Sequence, residues 1–169
     1  VMLGLGQGFQ PVCGFNYGAK LYNRVSKAFW FTAKLSITIL AILGILGILI
    51  SPQIITIFRK EDLEVIAIGS LALRLQSITL PLSGWIIMVN MLSQTIGKSR
   101  EASILAVARQ GLFFIPAVFI LPRIFGLLGV QLSQPIADIF SFLLAVIIGR
   151  KVLSEMKSHE QEQLEGKEA

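Results

Sequence analysis

Four long apolar runs constrain this chain more than any other feature: residues 28–58, 65–97, 102–121 and 127–148 carry very few charges. About twenty apolar residues cross the hydrocarbon core of a bilayer as a helix. In lipid, a spanning segment must also satisfy its own backbone hydrogen bonds, which a helix does. With 54% hydrophobic residues over 169 positions and a mean hydropathy of +0.74, the chain is too apolar for a soluble domain of this size. The fold class is therefore an all-α integral membrane protein, in which the end of one helix, before residue 21, precedes four transmembrane helices.

The opening stretch Val1–Lys20 threads Gly4, Gly6, Gly8, Gly14 and Gly18 through apolar and amide residues. A nucleotide-binding Gly-x-Gly loop needs a strand before it and a βαβ unit around it, and neither is legible here. Gly4 with Gly8 and Gly14 with Gly18 repeat the small-xxx-small spacing that lets helices approach closely in lipid. Pro11 is expected to bend or interrupt the helix. Gln7, Gln10 and Asn16 could then serve a cavity or simply bond neighbouring helices. Cys13, the only cysteine, cannot form an intramolecular disulfide and reads as a small packing residue. Val1 is not an initiator and no charged segment precedes the apolar run, so a start inside a longer protein is expected.

Residues 28–58 read as one span with a frayed outer end after Ser51-Pro52, and Lys34 as a headgroup anchor. A mixed-charge turn, Arg59-Lys60-Glu61-Asp62 with Glu64, follows. The run 65–97, at about thirty residues, exceeds one upright crossing. Its first part is expected at the interface, with Arg74 and Gln76 near the outer headgroups, a kink at Pro81 and Gly84, and Asn90 and Gln94 in the inner half. The third span holds Arg109, Gln110 and Pro116 and turns back at Pro122-Arg123 and Gly126; the fourth holds Gln131, Gln134, Pro135 and Asp138. Residues 1–150 thus form the membrane part. Residues 151–169 form a polar tail, expected to fray from a helix into solvent.

The formal charge of +5 does not indicate nucleic acid, because the basic residues sit in short loops between apolar runs. Lys20, Arg24, Lys27, Lys98, Arg100, Arg150, Lys151 and Lys157 fall on one side of the membrane; Arg59, Lys60 and Arg123 fall on the other, with acidic neighbours beside the first two. The richer side, with the C-terminus, is expected to be cytoplasmic.

Asp138 is the one acidic residue deep in a span, where a carboxylate needs a cavity, a proton or a cation. At about 1.5 Å per residue it lies about 18 Å deep, and Arg109 on the neighbouring span about 10 Å deep, a gap that an arginine can bridge. The two are expected to interact, as a structural pair locking the last helices or as an ion relay. Gln10, Gln76, Asn90 and Gln94, with Phe9, Met88 and Met91, are candidates for lining a cavity that takes bulky organic cations. The same residues at helical spacing could equally be packing. One histidine, no paired metal ligands and no Walker-type loop leave an enzyme, a metal site or a bound cofactor without residues to build on.

Gly6-Gln7-Gly8-Phe9-Gln10-Pro11 followed by Gly14-Phe15-Asn16-Tyr17-Gly18-Ala19-Lys20 resembles the signature near the eighth transmembrane helix of multidrug and toxic compound extrusion (MATE) transporters, in particular their bacterial multidrug-exporter branch. Gln94-Thr95-Ile96-Gly97-Lys98, and Gly129-Val130-Gln131 with Pro135-Ile136-Ala137-Asp138, are similar to later stretches of the family, and the resemblance reaches about Lys151. It implies the C-terminal part of a twelve-helix, two-repeat transporter of the cell membrane whose N-terminal repeat is missing here. It also implies export of amphipathic, often cationic drugs in exchange for sodium or protons. Two other readings remain: a lipid-linked-intermediate flippase of the same fold, which a basic cavity would favour, and a non-transporting membrane scaffold, which would be stable as this short chain alone.

Overall fold

The computed structural model describes residues 2–58 and 62–168. Arg59, Lys60 and Glu61, expected in a mixed-charge turn, lie outside the described residues. All regular structure among the described residues is helical: α1 (Met2–Gly18), α2 (Tyr22–Leu49), α3 (Ser51–Phe58), α4 (Leu63–Thr95), α5 (Ser99–Val107), a π turn (Ala108–Phe113), α6 (Phe114–Phe125) and α7 (Leu127–Glu168). Three helical stretches, Tyr22–Leu49, Leu63–Thr95 and Ser99–Phe125, are long and apolar enough to cross a membrane. The fourth apolar run is the first half of α7.

The α4 helix is the central strut, packing on α2, α7, α3, α5 and α1. Its start is set locally, because the Asp62 side chain accepts from the Val65 amide at 3.2 Å and Glu64 adds charge to the first turn. Against it the core is built from Phe9 of α1, Phe29 of α2 and Trp85 of α4. The Phe9–Phe29 and Phe29–Trp85 ring centroids lie 6.4 and 5.6 Å apart in edge-to-face geometry. Close approach of α2 to α4 depends on glycine: a Cβ at Gly44 would meet the Ser77 carbonyl oxygen at 2.6 Å. Large side chains such as Phe31, Ile45, Val107 and Ile147 remain exposed, as expected of faces turned to lipid.

Several local expectations are sharpened. α1 is not interrupted at Pro11, and α4 stays helical through Pro81. The span after residue 28 ends at Leu49, and a new short helix begins at Ser51, with Pro52 in its first turn where its missing N–H costs nothing. Gly4, Gly8 and Gly18 have no neighbour among the described residues, in keeping with small-residue faces that lack a partner in this chain. The glycine of α1 that meets a neighbour most closely is Gly6, where a Cβ would collide with the Met91 side chain. α6 continues through Pro122 and Arg123 to Phe125, and the reversal falls on Gly126, whose φ of 57° favours glycine. Arg74 donates to Ser51 Oγ at 2.8 Å, fastening α4 to the α2–α3 junction.

The expected frayed tail is helix instead. At 42 residues α7 is about 63 Å long, twice the thickness of the hydrocarbon core, so its second half projects beyond the membrane. There Val152 and Met156 are buried in the same cluster as Val25 and Phe29. Lys98 pairs with Glu155, and Lys151 with Glu101 at 3.8 Å, tying the α4–α5 connection to this extension.

Candidate functional site

Asp138, on the apolar half of α7, has no exposed surface. Three donors meet its carboxylate: Arg109 Nε at 2.9 Å and Gln134 Nε2 at 3.1 Å reach Oδ1, and Gln76 Nε2 at 3.3 Å reaches Oδ2. Arg109 also donates through Nη2 to Ser83 Oγ at 2.9 Å. The cluster thus joins α4, the π turn and α7 in the middle of the bundle. A buried carboxylate is tolerated when a cation and enough hydrogen bonds replace water, and here both are present.

The π turn puts Arg109 in place. Pro116 follows within a turn and has no N–H to donate to Leu112, and Gly111 adds freedom, so the ladder widens over Ala108–Phe113. Phe113 stacks on Phe140 of α7 with centroids 5.7 Å apart, holding the widened turn against the helix that carries Asp138. The sequence contains the proline and glycine, but the bond pattern they produce appears only in the folded helix.

On the other side of Arg109 lies a half-open cavity of about 290 Å³. Asn90, Met91 and Gln94 of α4 line one wall; Leu105, Ala106, Arg109 and Gln110 line the other. Asn90 Nδ2 donates to the Ala102 carbonyl at 2.8 Å, and Gln94 donates to Asn90 Oδ1, so one amide bridges the walls and orients the next. The walls are otherwise apolar, with a flexible thioether among them.

The structure therefore brings together Asn90, Met91, Gln94 and Arg109, with Asp138 behind Arg109. It does not place Gln76 on this cavity, because the side chain is turned to Asp138. Gln10 lies on α1 outside the lining. Phe9 and Met88 are core residues, 4% and 0% exposed. Gln110, exposed on the wall next to Arg109, did not stand out in the sequence. Its polarity in an apolar span was the available signal. Gln134, spaced four residues before Asp138 on the same helix face, was a second.

A bundle of membrane-length helices around a buried ion pair and a half-open amphipathic cavity defines a multi-pass integral membrane protein. The chain belongs to the MatE family, whose model matches residues 1–120. It is 25% identical over 166 residues to the multidrug export protein MepA of Staphylococcus saprophyticus, covering 98% of this chain and 36% of that protein. It resembles the inward-facing structure of a multidrug resistance MATE family transporter of the MOP superfamily, with a TM-score of 0.86 at 22% identity over 93% of this chain and 37% of the other. An outward-facing structure of such a transporter gives 0.85 at 22% identity over 93% and 36%. The chain spans about a third of the length of the relatives it matches.

Proposed function

We propose that this chain is the C-terminal part of a secondary active multidrug exporter, working with an N-terminal repeat outside the sequence described here. The observation that carries the reading is the cavity beside Arg109: apolar walls, a methionine and oriented amides suit bulky organic cations of varied shape better than one rigid substrate. Asn90, Met91 and Gln94 contact the drug, with Gln10 joining from α1 and Gln110 from the opposite wall. Drive comes from a sodium or proton gradient, and transport proceeds by rocking of two bundles about a midplane site. The similar agreement with inward- and outward-facing relatives supports a bundle that moves as a unit. The protein sits in the cell membrane with its C-terminus in the cytoplasm, as the excess of lysine and arginine at that end suggests.

A lipid-linked-intermediate flippase would favour unbalanced positive charge in the cavity. The cation on this wall, Arg109, is matched by Asp138. The scaffold reading requires a fragment stable by itself, whereas Gly4, Gly8 and Gly18 present small faces without a neighbour among the described residues.

The test is ethidium efflux from cells that lack their own exporters and express the full-length protein. Efflux should collapse when the driving gradient is abolished and fall about thirtyfold on Gln94→Leu with Gln110→Leu, since each removes a group worth on the order of 1 kcal/mol to a polar contact. Gradient-independent efflux, or none from a well-folded protein, would reject the exporter reading.

A further inference from the structure

We propose that the elbow between α1 and α2, together with the extramembrane half of α7, forms a binding site for the headgroup of an anionic phospholipid. Two adjoining cavities of about 440 and 320 Å³ lie there, and Tyr22, Asn23 and Glu160 line both. The cavity further from the membrane adds Lys20, Arg24 and Lys27; the one nearer to it adds Trp30, Leu153 and Lys157. Four cations thus face one carboxylate, that of Glu160, across the two cavities. Of these cations, Lys20, Arg24, Lys27 and Lys157, none is in an ion pair with a described residue.

The geometry suits a lipid rather than a soluble anion. α2 enters the membrane from Tyr22, so Trp30 lies about 12 Å deeper than Tyr22, about 9 Å deeper than Arg24 and about 5 Å deeper than Lys27, toward the level where indole rings favour the interface. Trp30 packs on Phe29 and Trp85, with centroids 5.7 and 5.6 Å away, and is still 44% exposed, so its open edge can lie along an acyl chain. A phosphate held by Lys20, Arg24 and Lys27 would leave its glycerol and chains pointing down the wall of Trp30 and Leu153. Basic pockets at the membrane surface between helices recognise anionic headgroups through this combination of charge and depth.

Lys20 shows that the rim is held in place. It sits at φ 60°, closing α1, with the Lys20 amide bonded to the Tyr17 carbonyl at 2.9 Å and the Leu21 amide to the Asn16 carbonyl at 2.8 Å. Glycine would take that conformation more readily, so Lys20→Gly removes the charge without straining the backbone. Because the site does not depend on what the cavity beside Arg109 transports, it can fail or succeed independently of the exporter reading.

The experiment is native mass spectrometry of the full-length protein released from nanodiscs of equal phosphatidylglycerol and phosphatidylcholine. Wild type should retain phosphatidylglycerol in preference to phosphatidylcholine. Lys20→Gly, Arg24→Gln and Lys27→Gln should each weaken that retention about fivefold, the effect of one basic charge near an anionic surface. Arg100→Gln and Arg150→Gln remove exposed charges at the same end but outside the groove, and should leave retention unchanged. Glu160→Gln should strengthen it, a gain that unfolding cannot mimic. The proposal is overturned if the groove variants retain lipid like wild type, if Arg100→Gln or Arg150→Gln weakens retention equally, if Glu160→Gln gives no gain, or if millimolar inorganic phosphate displaces the lipid.

Discussion

Replacing Arg109 by methionine should cost more stability than replacing Asp138 by asparagine, because the two ends of the pair are buried unequally. The Asp138 side chain is 0% exposed, whereas that of Arg109 is 26% exposed and opens on the cavity. In Arg109→Met the carboxylate loses its cation and one of three donors. Gln134 and Gln76 remain, but neutral hydrogen bonds are worth about 1 kcal/mol each and do not offset an uncompensated buried charge. Breaking a buried pair in this way costs about 3–5 kcal/mol. In Asp138→Asn the guanidinium keeps Ser83 and can draw water from the cavity, so the cost should be about 1–2 kcal/mol. The double variant should lie within about 2 kcal/mol of wild type, giving a coupling energy of at least about 2 kcal/mol in a double-mutant cycle. The assay is unfolding of the full-length protein in mixed detergent micelles, followed by tryptophan fluorescence. Additive single effects, or a costlier Asp138→Asn, would refute the ordering. A stable Arg109→Met protein that has lost its gradient dependence would instead identify the pair as an ion relay and not a lock.

Three further outcomes follow from the packing. Gly44→Ala should destabilise by about 1–3 kcal/mol, since its Cβ would meet the Ser77 backbone, and Gly47→Ala by less, since its Cβ would meet only the rotatable Ser77 hydroxyl; thermal unfolding of the two variants side by side checks the order. Gly6→Ala should be well tolerated in folding but should change the relative efflux of large and small dyes, because the atoms it displaces are the flexible end of Met91, which lines the cavity. Unchanged relative rates would contradict that route. Lys98→Gln should alter stability by no more than about 1 kcal/mol, with an effect that disappears in high salt, because its partner Glu155 is partly exposed.

Much of the architecture was legible because lipid imposes a coarse rule. Residue 28 begins a run that must cross as helix whatever its neighbours do, and the four runs appeared in the structure in the expected order. Boundaries were less legible where neighbours intervene. Pro11 could bend or interrupt its helix by the sequence alone, and the fold resolves only the second alternative: both α1 and α4 stay helical through their prolines despite the missing hydrogen bond. The end at 151–169 was read by composition as solvated tail, but Val152 and Met156 find a place against α2 that no local pattern announces.

At the site, the sequence alone determined that a carboxylate at Asp138 needed a partner and that Arg109 was within reach, since an unpaired charge in an apolar span is costly wherever the helices stand. It also set the amides and methionine of α4 on a membrane-spanning helix. Only the tertiary structure decided what each faces. The rotation of α4 turns Gln76 toward Asp138 and Asn90, Met91 and Gln94 toward a cavity, while the π turn carries Arg109 between them. The physical reason is that crossing the bilayer depends on a helix's summed hydrophobicity, whereas facing depends on its azimuth, and azimuth is set by the side chains of other helices.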